Sequence, residues 1–180
     1  MPSVGTVKIG IVIRPIIRYG DAVLNTPAAE VDEVTPEVQE LVDDMIETMY
    51  AAPGIGLAAP QVGIALRVFV VDVSSGRDID ELKVMINPDI VASEGTQSHE
   101  EGCLSLPGFE AVVKRPERVV VRGLNREGQP HEVEGTGLSA RALQHEMDHL
   151  DGRLFVDRLR GIRRELIIRR VKKLQRKGKW

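Results

Sequence analysis

Apolar residues recur along this chain with two periods, one that suits helices and one that suits strands. The clearest helical stretch opens at Thr35-Pro36-Glu37 and carries Val38, Leu41, Val42, Met45, Ile46 and Met49 at three- and four-residue steps. Thr35 suits a cap, Pro36 fits the first helical position, and Glu37 favours the positive end of the dipole. The pattern predicts a helix from Pro36 to about Ala51, stopped by Pro53-Gly54. Strand-like runs follow at Ala65 to Val73 and at Val84 to Ala92, where Pro88 marks an edge or a bulge. Ala111 to Val113 and Arg118 to Arg122 continue the pattern. Asn125 to Gly128 predicts a turn into a return strand near His131 to Glu134. The first twenty residues carry Val7, Ile9, Ile11, Val12, Ile13, Ile16 and Ile17, interrupted by Pro15, and predict a short strand or an extended arm.

Gly135-Thr136-Gly137 breaks the strand pattern. Ser139 is expected to cap a second helix running through Leu150 and ending near Gly152. A third helix is expected over about 161–176, with Ile162, Leu166, Ile167, Val171 and Leu174 on an apolar side and basic residues on the other. Between the first helix and the first long strand lies Gly54-Ile55-Gly56-Leu57-Ala58-Ala59-Pro60-Gln61. Its glycines and small residues let backbone approach another strand or a ligand.

Composition narrows the class. The chain has 180 residues, 42% hydrophobic and 28% charged, which suits one domain over 1–180 with a sizeable core. No apolar run approaches the roughly 20 residues of a membrane span, so no membrane partner is expected. The opening Met1-Pro2-Ser3-Val4-Gly5-Thr6 is too short and polar for the front of a secretory signal, and a cytoplasmic protein is expected. A single cysteine excludes an internal disulfide framework. The segment from Arg153 to Trp180 holds twelve Lys or Arg and two acids, a charge of +10. That leaves −13 on the rest of a chain whose net charge is −3, so the tail is expected to meet something anionic.

The candidate chemistry sits in the second helix, where His145-Glu146-Met147-Asp148-His149 forms His-Glu-x-x-His. On a helix, His145 and His149 share one face with Cβ atoms about 5–6 Å apart, so both rings can reach one divalent ion. Glu146 can then exchange protons with water on the ion's open side. Zinc proteases find a third ligand downstream. The His-x-x-Gly-x-x-His extension fails here because Phe155 occupies its last position. Glu165 is a poor substitute within a basic helix. Cys103, after Gly102 and expected in an apolar strand packed against the helix, is the better donor. One thiolate and two imidazoles leave an open position, the pattern of a catalytic rather than a structural site.

Taken together, Gly54 to Gln61, Glu101-Gly102-Cys103-Leu104-Ser105 and His145 to His149 resemble the three signatures of the peptide deformylase family, in order and at similar spacing. With the predicted elements, the resemblance implies an α+β single domain. Antiparallel β-sheets would pack around a central helix carrying His-Glu-x-x-His, beside a long first helix and a basic C-terminal helix. It implies a metal-dependent hydrolase that removes the N-formyl group from the initiator methionine of nascent polypeptides and releases formate. A zinc endopeptidase is the alternative. Cys103, His145 and His149 would bind one divalent ion, Fe²⁺ as the usual metal, with Zn²⁺, Ni²⁺ or Co²⁺ able to replace it. Glu146 would be the acid and base, while the Gln61 amide and the Leu104 N–H would contact the oxyanion. Gly56 and Gly102 would leave room for an extended N-formylmethionyl peptide, and Ile55, Leu138 and Ala142 would line the methionine pocket. The basic C-terminal helix would be a ribosomal RNA contact.

Overall fold

Thr35 and Pro36 open the first helix where the sequence places it. The structure, a computed structural model, describes residues 10–180. Helix α1 runs Pro36–Ala51, and the Thr35 hydroxyl accepts from the Val38 N–H at 3.4 Å. Strands β1 (Gly56–Ala58), β2 (Val68–Val71) and β3 (Lys83–Glu94) follow. Next come β4 (Gln97–Gly102), β5 (Glu110–Arg115), β6 (Arg118–Leu124) and β7 (Pro130–Thr136). Helices α2 (Gly137–Leu150) and α3 (Ile162–Arg176) complete the chain.

Five strands form an antiparallel sheet in the order β1-β2-β3-β6-β7, while β4 and β5 pair separately as a hairpin. The two-residue period of β2 serves both faces of the larger sheet. Val68 and Val70 pack with Leu41, Val42, Met45 and Met49 of α1. Phe69 and Val71 pack with Leu143, Met147 and Leu150 of α2. A third apolar cluster joins Val113 of the hairpin to Leu154, Phe155, Leu159 and Val171 of the C-terminal segment. The helix bearing the two histidines therefore lies between the large sheet and the hairpin.

Several boundaries differ from the sequence expectation. Strand β2 is shorter than 65–73 because its flanks are tied elsewhere: Ala29 N–H donates to Ala65 O, and Asp72 N–H to Ile55 O. Pro88 does sit at a shift in register between Ile86 and Asp89. Ser139 lies inside α2 and does not cap it. Thr136 occupies the cap position without a side-chain bond, and Gly137, at φ +54°, turns the chain directly from β7 into the helix. The apolar side of α3 is also rotated. Ile167, Ile168, Val171 and Leu174 pack inward, whereas Ile162 and Leu166 are exposed.

The arm before α1 forms no regular element from Gly10 to Arg18, and Val7 and Ile9 lie outside the described residues. It is pinned to α1 by side chains: Val12 N–H donates to Asp44 Oδ1 at 2.8 Å and Arg14 N–H to Thr48 Oγ1 at 2.9 Å. Further along, Ile17 N–H donates to Gln61 O and Tyr19 N–H to Ser105 O, both at 2.8 Å. The arm thus ties together two of the three sequence motifs. No helix among the described residues is long and apolar enough to cross a membrane.

Candidate metal centre and cleft

Helical spacing brings His145 and His149 together with ring centroids 5.0 Å apart. Cys103 approaches from the end of the hairpin. It follows β4 in a turn closed by Leu106 N–H to Cys103 O and does not sit within a strand, contrary to expectation. The turn is what lets the thiol leave the sheet and point at α2. Cys103 Sγ is 3.3 Å from His149 Nε2, and the ligand atoms of Cys103, His145 and His149 all lie within 4.8 Å of one another. A soft sulfur and two imidazoles converging this closely fit a divalent transition metal.

The hairpin also orients the first histidine. His145 Nδ1 lies 3.1 Å from Glu101 Oε2, which turns Nε2 toward Cys103. Glu101 is buried and meets two buried guanidiniums. Arg115 grips both of its oxygens, one through Nη2 at 2.8 Å, and Arg141 reaches Oε1. Arg115 then passes to Asp148 at 3.0 Å, and Asp148 accepts from Arg158 Nη2 at 2.6 Å. Burial alone would raise the Glu101 pKa, but Arg115 and His145 outweigh it and hold the carboxyl at about 2. Burial also disfavours charge on His145, yet its bonds to Cys103 and Glu101 lift its pKa well above the usual range. His149 goes the other way: burial, then the neighbouring His145 charge, holds it neutral and ready to ligate. Arg115 and Arg141 escape a reading of the sequence. The one available signal is Glu101 itself, a carboxylate two residues before the thiol.

Glu146 is buried, and its Oε2 has no hydrogen-bond partner among the described residues. Burial pushes its carboxyl up to about 7, only partly offset by His145 and Arg115. Gly56 makes the room it occupies: a Cβ at position 56 would stand 2.4 Å from Glu146 Oε1. The Gln61 amide is fixed at both ends. Its Oε1 accepts from Ala58 N–H at 2.9 Å, and its Nε2 lies 3.2 Å from Ser105 Oγ and 3.6 Å from Cys103 Sγ. Ser105 is thus a second support that pattern reading left unassigned, although it stands inside the Cys103 motif.

A cleft of about 480 Å³ opens over these groups. Cys103, His145, Glu146 and Gln61 line its floor together with Leu104, while His149 lies buried behind them. Ile55, Leu138 and Ala142, the residues expected around a methionine side chain, all reach it, as do Gly56 and Gly102. Leu138 is exposed at the rim and Ala142 is buried. The free edge of β1 and the end of β4 border the opening, so an extended peptide entering it meets unpaired backbone. Neither His99, which is exposed, nor His131 belongs to the site.

A family model described as polypeptide deformylase matches residues 13–165. A peptide deformylase of Acidobacterium capsulatum is 52% identical over 168 residues, 93% of this chain and 99% of the relative. One from Thermodesulfovibrio yellowstonii is 53% identical over 160 residues, 89% of this chain and 97% of the relative. The crystal structure of a peptide deformylase from Legionella pneumophila aligns with a TM-score of 0.86 at 44% identity, covering 93% of this chain and 98% of that one. A peptide deformylase from Ehrlichia chaffeensis, solved in complex with actinonin, aligns with a TM-score of 0.84 at 37% identity, covering 91% and 98%.

Proposed function

Since the chain belongs to the peptide deformylase family, we propose that its cleft performs the family's reaction through Glu146, Gln61 and Leu104 around an ion held by Cys103, His145 and His149. The reaction is removal of the N-formyl group from nascent polypeptides. The observation that carries the residue assignment is the convergence of one thiol and two imidazoles beside a buried, unpartnered carboxylate. An ion bound there would supply acidification of water and polarisation of the formyl carbonyl.

The chain's own residues do the rest. Glu146 takes the proton of the attacking water and returns it to the leaving amine. Its elevated pKa suits both directions of transfer near neutrality. Negative charge that grows on the formyl oxygen meets the Gln61 Nε2 donor and the Leu104 backbone N–H. One such donor is typically worth about 2.7–4 kcal/mol of barrier. Gly56 and Gly102 admit the main chain of the substrate, and Ile55, Leu138 and Ala142 hold the methionine side chain. Fe²⁺ is the ion we assign, although thiolate and imidazole accept Zn²⁺, Ni²⁺ or Co²⁺ as well.

We also assign the whole of 1–180 to one catalytic unit that works in the cytoplasm, with α3 as a contact for ribosomal RNA. The deciding assay measures formate release from formyl-Met-Ala-Ser by anaerobically purified protein, with metal content measured on the same sample. Formate without cleavage of internal peptide bonds supports the reading. Internal cleavage without formate would restore the endopeptidase alternative, which the family does not favour.

A further inference from the structure

The segment that carries the thiol is held from behind by a residue that lies outside every sequence motif. After α3 the chain turns back at Gly178, at φ +63°, with the Gly178 N–H donating to Gln175 O and the Lys179 N–H to Leu174 O, both at 3.0 Å. The reversal brings Trp180 against the arm and the far end of the Cys103 segment. Trp180 Nε1 donates to Tyr19 O at 2.8 Å, and the indole meets the Phe109 ring edge-on, with centroids 6.0 Å apart and planes at 64°. Gln175 Nε2 donates to the same Tyr19 carbonyl at 3.3 Å. Two guanidiniums flank the aromatic pair: Arg18 lies 5.9 Å over the Trp180 ring and Arg170 5.8 Å over Phe109.

What Trp180 grips leads directly to the cleft. Residues 103–109 belong to no strand: β4 ends at Gly102 and β5 begins at Glu110. Two successive turns run through the segment, Leu106 N–H to Cys103 O at 2.9 Å and Phe109 N–H to Leu106 O at 3.3 Å. Between Cys103 and Leu106 stand Leu104 and Ser105, the latter 3.2 Å from Gln61 Nε2. With no ladder to hold it, the segment takes its position from contacts across the fold. One is the Tyr19 N–H to Ser105 O bond at 2.8 Å. Another is Phe109, which is buried in the cluster with Leu24, Phe155 and Val171 and also lines the cleft. Trp180 reaches both, through its N–H to Tyr19 and through its ring to Phe109.

We infer that Trp180 is a positioning residue for the cleft: by gripping Tyr19 and Phe109 it fixes residues 103–109, and with them the Cys103 thiol, the Leu104 N–H and the Ser105 support of the Gln61 amide. Its effect on turnover rests on the deformylase reading of the cleft, while its effect on the thiol does not. The Leu104 N–H and the Gln61 amide meet charge that develops only as the reaction proceeds, so loosening them lowers kcat and leaves KM nearly unchanged. A displacement well under an ångström at these donors should cost about tenfold in kcat. The ring supplies most of the grip. Phe at position 180 would keep the contact with Phe109, and Gln175 would still serve the Tyr19 carbonyl.

Cys103 is the chain's only cysteine, so its reaction with an aromatic disulfide reagent reports how firmly the segment is held, without reference to activity. In the metal-free full chain, Cys103 of W180A should react several-fold faster than in the unaltered protein, and Cys103 of W180F at close to the unaltered rate. In the Ni²⁺-loaded chain acting on formyl-Met-Ala-Ser, W180A should lose about tenfold in kcat per bound metal with KM changed by less than about twofold, and W180F should keep most of the rate. Ile167→Ala is the control. It thins the same apolar cluster from α3 while leaving the Trp180 hydrogen bond and ring contact in place, so it should lower the urea midpoint and move neither readout. Equal Cys103 rates, or equal kcat per bound metal, in W180A and the unaltered chain would overturn the inference. So would changes in W180A and Ile167→Ala that simply follow their urea midpoints, because these would show general loosening alone. Cys103 rates in the expected order with no formate released by any form would instead bring down the deformylase reading and leave the positioning role standing.

Discussion

Glu146 shows how one side chain acquires its role from what surrounds it. Gly56 leaves it space, burial raises its pKa, and no neighbour claims its second oxygen. Glu146→Gln keeps the shape and removes the proposed base, so formate release should fall by about 10²- to 10⁴-fold. Metal content, measured on the same preparation, should not change. Glu101 acts at one remove by fixing the His145 ring. Glu101→Gln should weaken metal affinity by about 10- to 100-fold, as judged by competition with a chelator. It also strips the charge that Arg115 and Arg141 face, so stability should fall by about 3–5 kcal/mol in urea unfolding of the metal-free protein. The sequence displays the three proposed metal donors because their types and spacing are unusual. It does not display the Glu101 network, because Arg115 and Arg141 stand 14 and 40 residues from Glu101 and only the folded hairpin brings them together.

Elements were legible where their burial followed a simple period. Helix α1 has a cap, a proline and a one-sided apolar stripe, and its bounds agree with the sequence pattern to the residue. Strand β4 has no apolar alternation to read. Its inward positions are Gln97 and Glu101, which satisfy buried arginines instead of filling an apolar core. The last turn of α1 adds a pH-sensitive joint. Tyr50 Oη donates to Asp72 Oδ2 at 2.6 Å, while Asp72 also accepts from the Ser74 and Gly76 N–H groups, both at 2.8 Å. Burial first, and the Asp72 bond second, push the Tyr50 pKa up to about 12 from an ordinary 10. The folded state thus favours the neutral phenol. Its contribution is complete below pH 10 and is lost as pH rises from about 10 through 12. Urea midpoints measured across that window should fall more steeply for the unaltered chain than for Tyr50→Phe.

Charge is distributed over the molecule in two blocks, an acidic body and a tail of +10. Most of the tail's charge lies on α3, which packs through Ile167, Val171 and Leu174 and leaves its arginines and lysines exposed. The proposed binding to ribosomes through this helix should weaken steeply with salt as phosphate counterions are displaced. Co-sedimentation at rising NaCl, with and without the residues after Leu159, checks this. Truncation should abolish the salt-sensitive fraction. The asymmetry was plain in the sequence, but the rotation of α3 was not, because Ile162 and Leu166 fit the same helical stripe as the residues that pack.

The three proposed metal donors come from two bodies: Cys103 hangs from the small hairpin, and both histidines stand on the helix that backs the large sheet. An ion held among them would therefore be a rivet as well as a reagent. Chelation should loosen the seam first around 102–110, so limited proteolysis after EDTA treatment should nick this stretch before the rest of the chain. Refilling the site with Ni²⁺ or Zn²⁺ should close the seam and restore resistance, even in a Glu146→Gln protein that turns nothing over.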